Sequence, residues 1–179
     1  MSVLLCTVEL VLTGSTAGLL TPPITPETPV VRLHPLLVNS PQQPPVRCDV
    51  TRPPNEIGIV RNDRPFSFGE QAIHPSQQRL LVRYKTWTID VSNNSGVTVG
   101  DVLATICYTM QTPVTQCEFS LFNPDSQSKA SQYFTARTAG NEAAYKQGVI
   151  RCDFVGRTRF FVGLVRAGDG RWDLQLAQF

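Results

Sequence analysis

Charged side chains that could hold a ligand are concentrated near residue 150. The segment 149–155 reads VIRCDFV, so Arg151 and Asp153 are two residues apart. If this segment is a strand, both side chains project from one face. There they could contact each other or the polar groups of a ligand, and Arg137 on the preceding segment could join them. A structural salt-bridge network is favoured over a ligand site, because a strand face that bears both signs commonly satisfies its own charges.

Two histidines are candidate proton donors in a ligand-binding site. His34 and His74 are each followed by a proline, and an imidazole ordinarily titrates near neutral pH. The His-Pro context favours a role in turns for both residues over a role in binding.

Aromatic side chains next to an arginine define a further candidate site. Arg83 and Tyr84 lie close to Trp87 in the sequence. Together with Trp172, these planar side chains could stack against a flat molecule or a peptide. Core packing is the favoured interpretation for Trp87 and Trp172, because each alternates in phase with apolar neighbours. If the sheet were open on one face, that face or its free edge could bind a partner strand.

No metal site and no cofactor is predicted. Metal ligation needs clustered ligands, whereas the five cysteines have no CxxC spacing and the two histidines stand alone. We expect the cysteines to be small buried residues of a protein in a reducing compartment. The chain also lacks the phosphate-binding glycine loops and the motifs of serine hydrolases and zinc proteases. The cysteines are Cys6, Cys48, Cys107, Cys117 and Cys152.

Composition excludes several classes of partner. The chain has 179 residues, of which 41% are hydrophobic, as in a folding chain, and 17% are charged, below the roughly 25% of ordinary globular chains. Its net charge of +2 is too small for the dense phosphate contacts of a nucleic-acid-binding protein. Residues 2–12 are apolar, but they contain Glu9 and are too short to span a bilayer. We therefore expect no nucleic acid and no membrane as partner, and a cytoplasmic location.

The distribution of prolines divides the chain. Eleven of the fourteen prolines fall between residues 22 and 65, where regular helices and central strands are disfavoured. We predict an N-terminal arm over residues 1–31, with a possible strand over residues 2–12 and a proline-rich linker. Residues 32–179 are predicted to form a single domain.

Helix signals cluster in the middle of that domain. Thr98 is a predicted N-cap with Asp101 three residues on, and the apolar positions over residues 99–110 recur with helical spacing. A second helix is predicted over residues 114–121 and ends at Asn123-Pro124-Asp125. Residues 129–137 and 141–147 are each a helix or an irregular turn, with Gly140 between them.

Strand signals flank the helices and predict an α+β fold. Residues 80–91 form a predicted strand with a bulge or bend near Lys85 and Thr86. Three further strands are predicted at the C-terminus, over residues 149–155, 158–165 and 171–177. The simplest assembly is an antiparallel sheet with helices packed on one face.

Six sequence blocks, read together, carry a family resemblance. In this order and spacing the chain resembles a large fungal family, abundant in mushroom-forming basidiomycetes, that is known only as a domain of unknown function. The resemblance implies a fungal, intracellular protein and brings no established activity or catalytic residues. A tryptophan that the family pattern has before the aspartate of the second block is Cys48 here. The blocks are residues 32–37 (RLHPLL), 46–50 (VRCDV), 72–75 (AIHP), 97–103 (VTVGDVL), 148–154 (GVIRCDF) and 161–164 (FVGL).

Two functions remain compatible with these residues. The favoured one is a non-catalytic binding or assembly module, with a protein partner or a second copy of the chain. The alternative is a small-molecule enzyme or ligand carrier of fungal specialised metabolism, with Arg137, Arg151 and Asp153 as polar anchors in a pocket between sheet and helices. A buried apolar cavity of at least about 300 Å³ that contains those three residues would favour the alternative. A filled core with an ordered N-terminal arm on another subunit would favour assembly.

Overall fold

The computed structural model describes residues 30–60 and 67–179. The strand predicted for residues 2–12 and nearly all of the predicted N-terminal arm lie outside the described residues. In the described ranges, none of the helices has the length and apolar character that a membrane span needs.

The described residues form an α+β fold, as predicted from the sequence. The strands are β1 (Arg32–Leu33), β2 (Val46–Arg47), β3 (Gly58–Ile59), β4 (Ile73–His74), β5 (Arg79–Tyr84), β6 (Trp87–Ser92), β7 (Phe160–Arg166) and β8 (Trp172–Ala177). The helices are α1 (Val99–Met110), α2 (Gln116–Ser120), α3 (Pro124–Thr138) and α4 (Glu142–Gln147), with two short 3-10 helices, Pro54–Glu56 and Arg151–Phe154.

A four-stranded sheet in the order β6-β5-β8-β7 forms the centre of the fold. Its strand pairs are antiparallel except for β5 and β8, which run parallel where Val82 pairs with Trp172. Two antiparallel ribbons, β1 with β4 and β2 with β3, lie outside this sheet. The predicted antiparallel sheet is therefore confirmed, with one parallel pair added.

Helix α1 follows the sequence prediction at both its start and its buried face. The Thr98 hydroxyl accepts a hydrogen bond from the Asp101 amide at 3.1 Å, and the Asp101 carboxylate accepts one from the Thr98 amide at 2.9 Å. This reciprocal cap satisfies two backbone donors at the helix start. The helix packs against β6, and its buried residues are Val99, Val102, Leu103, Ile106, Cys107 and Met110.

The bend predicted near Lys85 is a complete chain reversal. Lys85 and Thr86 form a two-residue loop between β5 and β6, with Tyr84 paired to Trp87. Lys85 adopts a φ of 53°, which is the left-handed conformation that tight hairpin loops require. The change of alternation phase in the sequence thus marks a hairpin, which brings the apolar residues of both strands onto one face.

Two helix boundaries differ from the prediction because side-chain caps decide them. Helix α2 begins after Thr115, whose hydroxyl accepts a hydrogen bond from the Glu118 amide at 3.2 Å. The segment predicted to end this helix instead starts the next one: Asn123 accepts a hydrogen bond from the Ser126 amide at 2.8 Å, and Pro124 occupies the first helical position of α3. Proline is favoured there because its missing amide would have had no helical partner.

The strand predicted over residues 149–155 is wrong. Residues 151–154 form a 3-10 helix, in which the Asp153 carboxylate accepts a hydrogen bond from the Ile150 amide at 2.9 Å. Residues two apart in such a helix are related by a rotation of about 240° around its axis, so their side chains point about 120° apart. Arg151 and Asp153 therefore do not share a face, contrary to the prediction. The two later strands are confirmed as β7 and β8, with ends that shift by one or two residues.

The segment that follows β1 runs along the edge of β7. Val38 bridges to Leu164 and Asp49 bridges to Phe160. Gly163 allows this approach, because a Cβ atom at that position would collide with the backbone of Asn39. The contact places residues 43–48 beside the start of β7, where the candidate site lies.

Candidate functional site

Arg137 and Asp153 form a closed ion pair. Arg137 Nε and Nη2 donate to the two oxygens of Asp153, both at 2.9 Å, and Nη2 also donates to the Gly148 carbonyl at 2.8 Å. Asp153 is only 3% exposed. A buried carboxylate is stable only when its lone pairs are satisfied, and here three donors satisfy it. Asp153 therefore fixes the last turn of α3 against the 3-10 helix.

Arg151 points away from this pair into an aromatic cluster. Its Nη2 donates to Glu118 at 3.0 Å, and its guanidinium lies 5.3 Å from the centre of the Trp87 ring. The Trp87 indole also donates to Glu118, at 3.0 Å. Trp87 is 4% exposed and contacts Phe122 and Phe154. We call the set of Arg151, Glu118, Trp87, Phe122 and Phe154 the Trp87 cluster.

Glu118 is the acceptor at the centre of the Trp87 cluster. The Thr115 amide holds the pKa of Glu118 below its usual value, and the Thr115 hydroxyl and Arg151 act in the same direction against the effect of burial. The carboxylate thus accepts hydrogen bonds from a helix cap, an indole and a guanidinium at once. Arg151 Nε is buried and has no hydrogen-bond partner among the described residues.

The predicted stacking site is not assembled. Arg83 lies on the opposite face of the hairpin from Trp87, since it pairs with Thr88 across the strands. It donates to Asp173 at 2.8 and 3.1 Å. Trp172 is buried in the main core.

The two histidines lie near the ribbon of β1 and β4. His34 lies 3.1 Å from a carboxylate oxygen of Glu70 through Nε2, and its Nδ1 accepts a hydrogen bond from the Leu36 amide at 3.2 Å. His74 is exposed and lies opposite Arg32 in the backbone pairing of β4 with β1. Of the seven predicted site residues, the structure brings Arg137 together with Asp153 and Arg151 together with Trp87. The other three lie elsewhere, and only Arg137 and Asp153 line a cavity described below.

A cleft of about 720 Å³ opens beside the Arg137–Asp153 pair. Four arginines line it, and the sequence analysis selected only one of them. We call it the arginine cleft. Its main lining residues are Arg52, Arg137, Arg157, Arg159, Tyr133, Asp153, Phe160 and Phe179.

Two of these arginines are paired and two are not. Arg137 bonds to Asp153, and Arg159 Nε lies 3.1 Å from a carboxylate oxygen of Asp49. Arg52 and Arg157 are exposed and form no ion pair with any described residue. The cleft therefore carries guanidinium charge that its described carboxylates do not balance.

Local backbone geometry sets the wall of the cleft. Gly156 has a φ of +64°, and a Cβ atom there would lie 2.8 Å from the Tyr133 ring. The glycine lets the chain turn after the 3-10 helix while the tyrosine of α3 packs directly on the backbone. Arg157 and Arg159 follow this turn and reach the cleft.

An apolar groove of about 670 Å³ adjoins the arginine cleft. The two share Phe160 and Phe179, whose ring centres are 5.6 Å apart. We call it the apolar groove. It is lined by Ser40, Gln43, Pro44, Pro45, Val46, Arg47, Cys48, Val60, Phe160, Phe161 and Phe179.

The thiols that line these two sites, Cys48 and Cys152, are buried in surroundings that disfavour the thiolate form. Cys48 and Cys107 are buried with their sulfurs 3.7 Å apart, and the hydrogen bond to Cys107, together with burial, raises the pKa of Cys48. Burial raises the pKa of Cys152, which lines the arginine cleft, to about 12. Reactive cysteines need the thiolate form. Among the described residues, no group of three potential ligands is placed to hold a metal ion.

The sequence carried little signal for this site. Arg52 lies in the proline-rich stretch, and Arg157 and Arg159 flank the end of a turn, so no periodicity connects them. The sequence marks only Gly156 and Arg157, which lie in the gap between the strands predicted over residues 149–155 and 158–165.

Comparison with known proteins gives one family. Residues 46–170 match the model of a family described as of unknown function, DUF6699. This range includes all four arginines of the cleft. No curated protein and no solved structure matches the chain.

Proposed function

The chain belongs to the DUF6699 family, whose function is unknown, and we propose that it is a non-catalytic binding module for a segment of a protein partner. The segment would place an acidic group in the arginine cleft and an apolar side chain in the apolar groove. The observation that carries this proposal is the junction of the two sites across Phe160 and Phe179.

Charge complementarity supports an acidic partner. Arg52 and Arg157 offer two exposed guanidinium groups to the same cleft, and Arg47 lies in the adjoining groove. Arginine side chains are enriched at protein interfaces and bind carboxylates through two parallel hydrogen bonds. An acidic side chain of the segment could accept hydrogen bonds from both Arg52 and Arg157.

The apolar groove supports a peptide more than a small polar metabolite. Two prolines, two valines and three phenylalanines line it, and such rigid apolar surface binds side chains at low cost in conformational entropy. Consecutive residues of an extended peptide are about 3.3 Å apart. Neighbouring residues of one segment could therefore occupy the groove and the cleft together.

The enzyme alternative has weaker support. It needs Arg137, Arg151 and Asp153 as anchors in one buried cavity, whereas Arg151 lies in the Trp87 cluster. Arg137 and Asp153 already satisfy each other.

From the sequence resemblance we further propose a fungal and intracellular setting, which localisation of the tagged chain in its source cell would test.

The test is selection of peptides from a random displayed library on the full chain. We expect the selected peptides to combine an acidic with an apolar residue. Arg157→Glu should weaken their binding at least tenfold, measured by fluorescence polarisation, because it removes a cleft cation and adds a repelling charge. Phe179→Ala should weaken it several-fold, because the residue borders both sites.

The matched control is Arg166→Glu. Arg166 is exposed at the far end of β7, about 20 Å along the strand from Phe160, so the same change of charge should alter binding less than twofold. Failure to select any binding peptide, or equal losses in Arg157→Glu and Arg166→Glu, would overturn the proposal. Concentration-dependent self-association that Arg157→Glu abolishes would identify a second copy of the chain as the partner.

A further inference from the structure

We propose that the arginine cleft binds a phosphorylated side chain of the partner segment, with Arg52 and Arg157 as its principal ligands. This inference rests on the proposed function and adds the chemical class of the group that is recognised.

The charge of the cleft matches a phosphate monoester. Asp49 and Asp153 balance Arg159 and Arg137, so two guanidinium charges remain. A phosphate monoester carries about −1.5 to −2 charges at pH 7. A carboxylate would leave one of the two cations without a counter-charge.

The donors of the cleft also suit a phosphate. Arg137 uses Nε and Nη2 for its hydrogen bonds with described residues, so Nη1 remains available to a ligand. Each of the unpaired arginines has five N–H donors in a planar fork, which fits phosphate oxygens through two bonds at a time. Three acceptor oxygens can thus be shared by several guanidinium groups, whereas a carboxylate has two.

The fixed arginines would prepare the site before binding. Arg137 is held by Asp153 and Gly148, and Arg159 by Asp49. A cation held in place by its own carboxylate loses less side-chain entropy when the ligand arrives than a free arginine does. Arg137 therefore forms a fixed floor beside the buried Asp153, whereas the exposed Arg159, Arg52 and Arg157 would contact the ligand from the rim.

A phosphopeptide fits better than a nucleic acid. A nucleic acid repeats its phosphates and needs an extended basic surface, whereas the exposed face of the sheet carries Asp90 and Asp173 paired with arginines. The cleft is also bordered by the apolar groove, whose lining contains a single cation, Arg47. One phosphate next to one apolar residue matches this arrangement.

The experiment uses the peptides selected on the full chain. Each is resynthesised with phosphoserine, glutamate or serine at its acidic position, and binding is measured by fluorescence polarisation. We expect the phosphoserine peptide to bind at least tenfold more tightly than the glutamate peptide. Arg52→Glu and Arg157→Glu should each reduce this preference to less than threefold, while Arg166→Glu should leave it unchanged.

A pH series gives a second readout. The second pKa of a phosphate monoester is about 6. Lowering the pH from 7.5 to 5.5 should therefore weaken binding of the phosphoserine peptide several-fold and leave binding of the glutamate peptide unchanged. The described lining of the cleft contains no histidine, the side chain that ordinarily titrates in this range. The charged and titratable groups that face it are Arg52, Arg137, Arg157, Arg159, Tyr133, Cys152 and Asp153, with Asp49 behind Arg159.

The outcomes separate this inference from the proposed function. Equal affinity of the phosphoserine and glutamate peptides, with binding still lost in Arg157→Glu, would overturn the phosphate site and leave the binding module standing. Absence of any peptide binding would overturn both. Tighter binding of a single-stranded oligonucleotide than of every phosphopeptide, again dependent on Arg157, would also overturn the inference, because the recognised phosphate would then belong to a nucleic acid.

Discussion

The Trp87 cluster and the arginine cleft are built from the same residue types and differ in how their charges are balanced. In the Trp87 cluster, Arg151 lies over an aromatic ring and donates to Glu118. In the cleft, Arg159 lies 5.4 Å from the Phe160 ring and pairs with Asp49. Only the cleft has additional arginines that no described carboxylate meets.

This difference separates a structural role from the binding role that we propose. Arg151 has a side chain only 19% exposed and its carboxylate partner also caps a helix, so its charge contributes to folding. Arg52 and Arg157 are exposed at the rim of a cleft, and their charges contribute little to the fold. An arginine beside an aromatic ring is therefore not a binding residue by type alone. Whether nearby carboxylates balance its charge decides between a structural role and a binding role.

The largest expected effect comes from the floor of the cleft. Asp153→Ala should lower the free energy of unfolding by about 3 kcal/mol, because removing one partner of a buried ion pair leaves the other uncompensated. It also removes the acceptor of the Ile150 amide. Chemical denaturation of the purified chain measures this change.

The matched control for Asp153 is Asp173→Ala. Arg83 holds Asp173 through the same two atoms with which Arg137 holds Asp153, but the Asp173 side chain is 34% exposed. Exposed ion pairs contribute little to stability, so this variant should unfold at nearly the same denaturant concentration as the parent. Equal losses for Asp153→Ala and Asp173→Ala would show that burial does not distinguish the two pairs.

A smaller loss is expected in the Trp87 cluster. Arg151→Ala should destabilise the chain by about 2 kcal/mol, because it removes a partly desolvated cation–π contact and one hydrogen bond to Glu118. Peptide binding should stay within twofold of the parent. Arg79→Ala, which removes an arginine from an exposed pair with Asp90, is the control and should leave stability unchanged. Loss of peptide binding without loss of stability in Arg151→Ala would reverse the assignment of the two regions.

Local signals in the sequence predicted the parts of the fold that depend on neighbours along the chain. The cap at Thr98 and the apolar spacing over residues 99–110 predicted α1, and the alternation of apolar and polar residues predicted β8. Residues 149–155 were predicted wrongly because alternation cannot reveal that Asp153 turns back to cap Ile150. The strand prediction there then placed Arg151 and Asp153 in one site.

The arginine cleft depends on contacts between distant parts of the chain. Arg52 and Arg157 are more than one hundred residues apart in the sequence. They line the same cleft because the segment after β1 runs along β7 to the bridge between Asp49 and Phe160. No residue spacing encodes that approach. The pairing of Arg137 with Asp153 was identifiable as a possibility because both had been selected for their charge, whereas the choice of Glu118 as the partner of Arg151 required the structure.

The smallest expected effect is the pH dependence of the Trp87 cluster. Since the Thr115 amide and the other donors lower the pKa of Glu118 in the folded chain, its contribution to stability is complete above the unfolded pKa, near 4.3. That contribution is lost as the pH falls through the lower folded pKa. The advantage of the parent over Glu118→Gln should therefore shrink between pH 6 and pH 3, by about 1 kcal/mol or less, because the side chain is 26% exposed and solvent screens it. Comparison with this variant cancels the other acidic groups, including Asp101. In an Arg151→Ala background most of this pH-dependent stability should remain, because the Thr115 amide is the largest cause of the lowered pKa. A stability difference between the parent and Glu118→Gln that stays constant from pH 6 to pH 3 would show that Glu118 acts in the cluster without its charge.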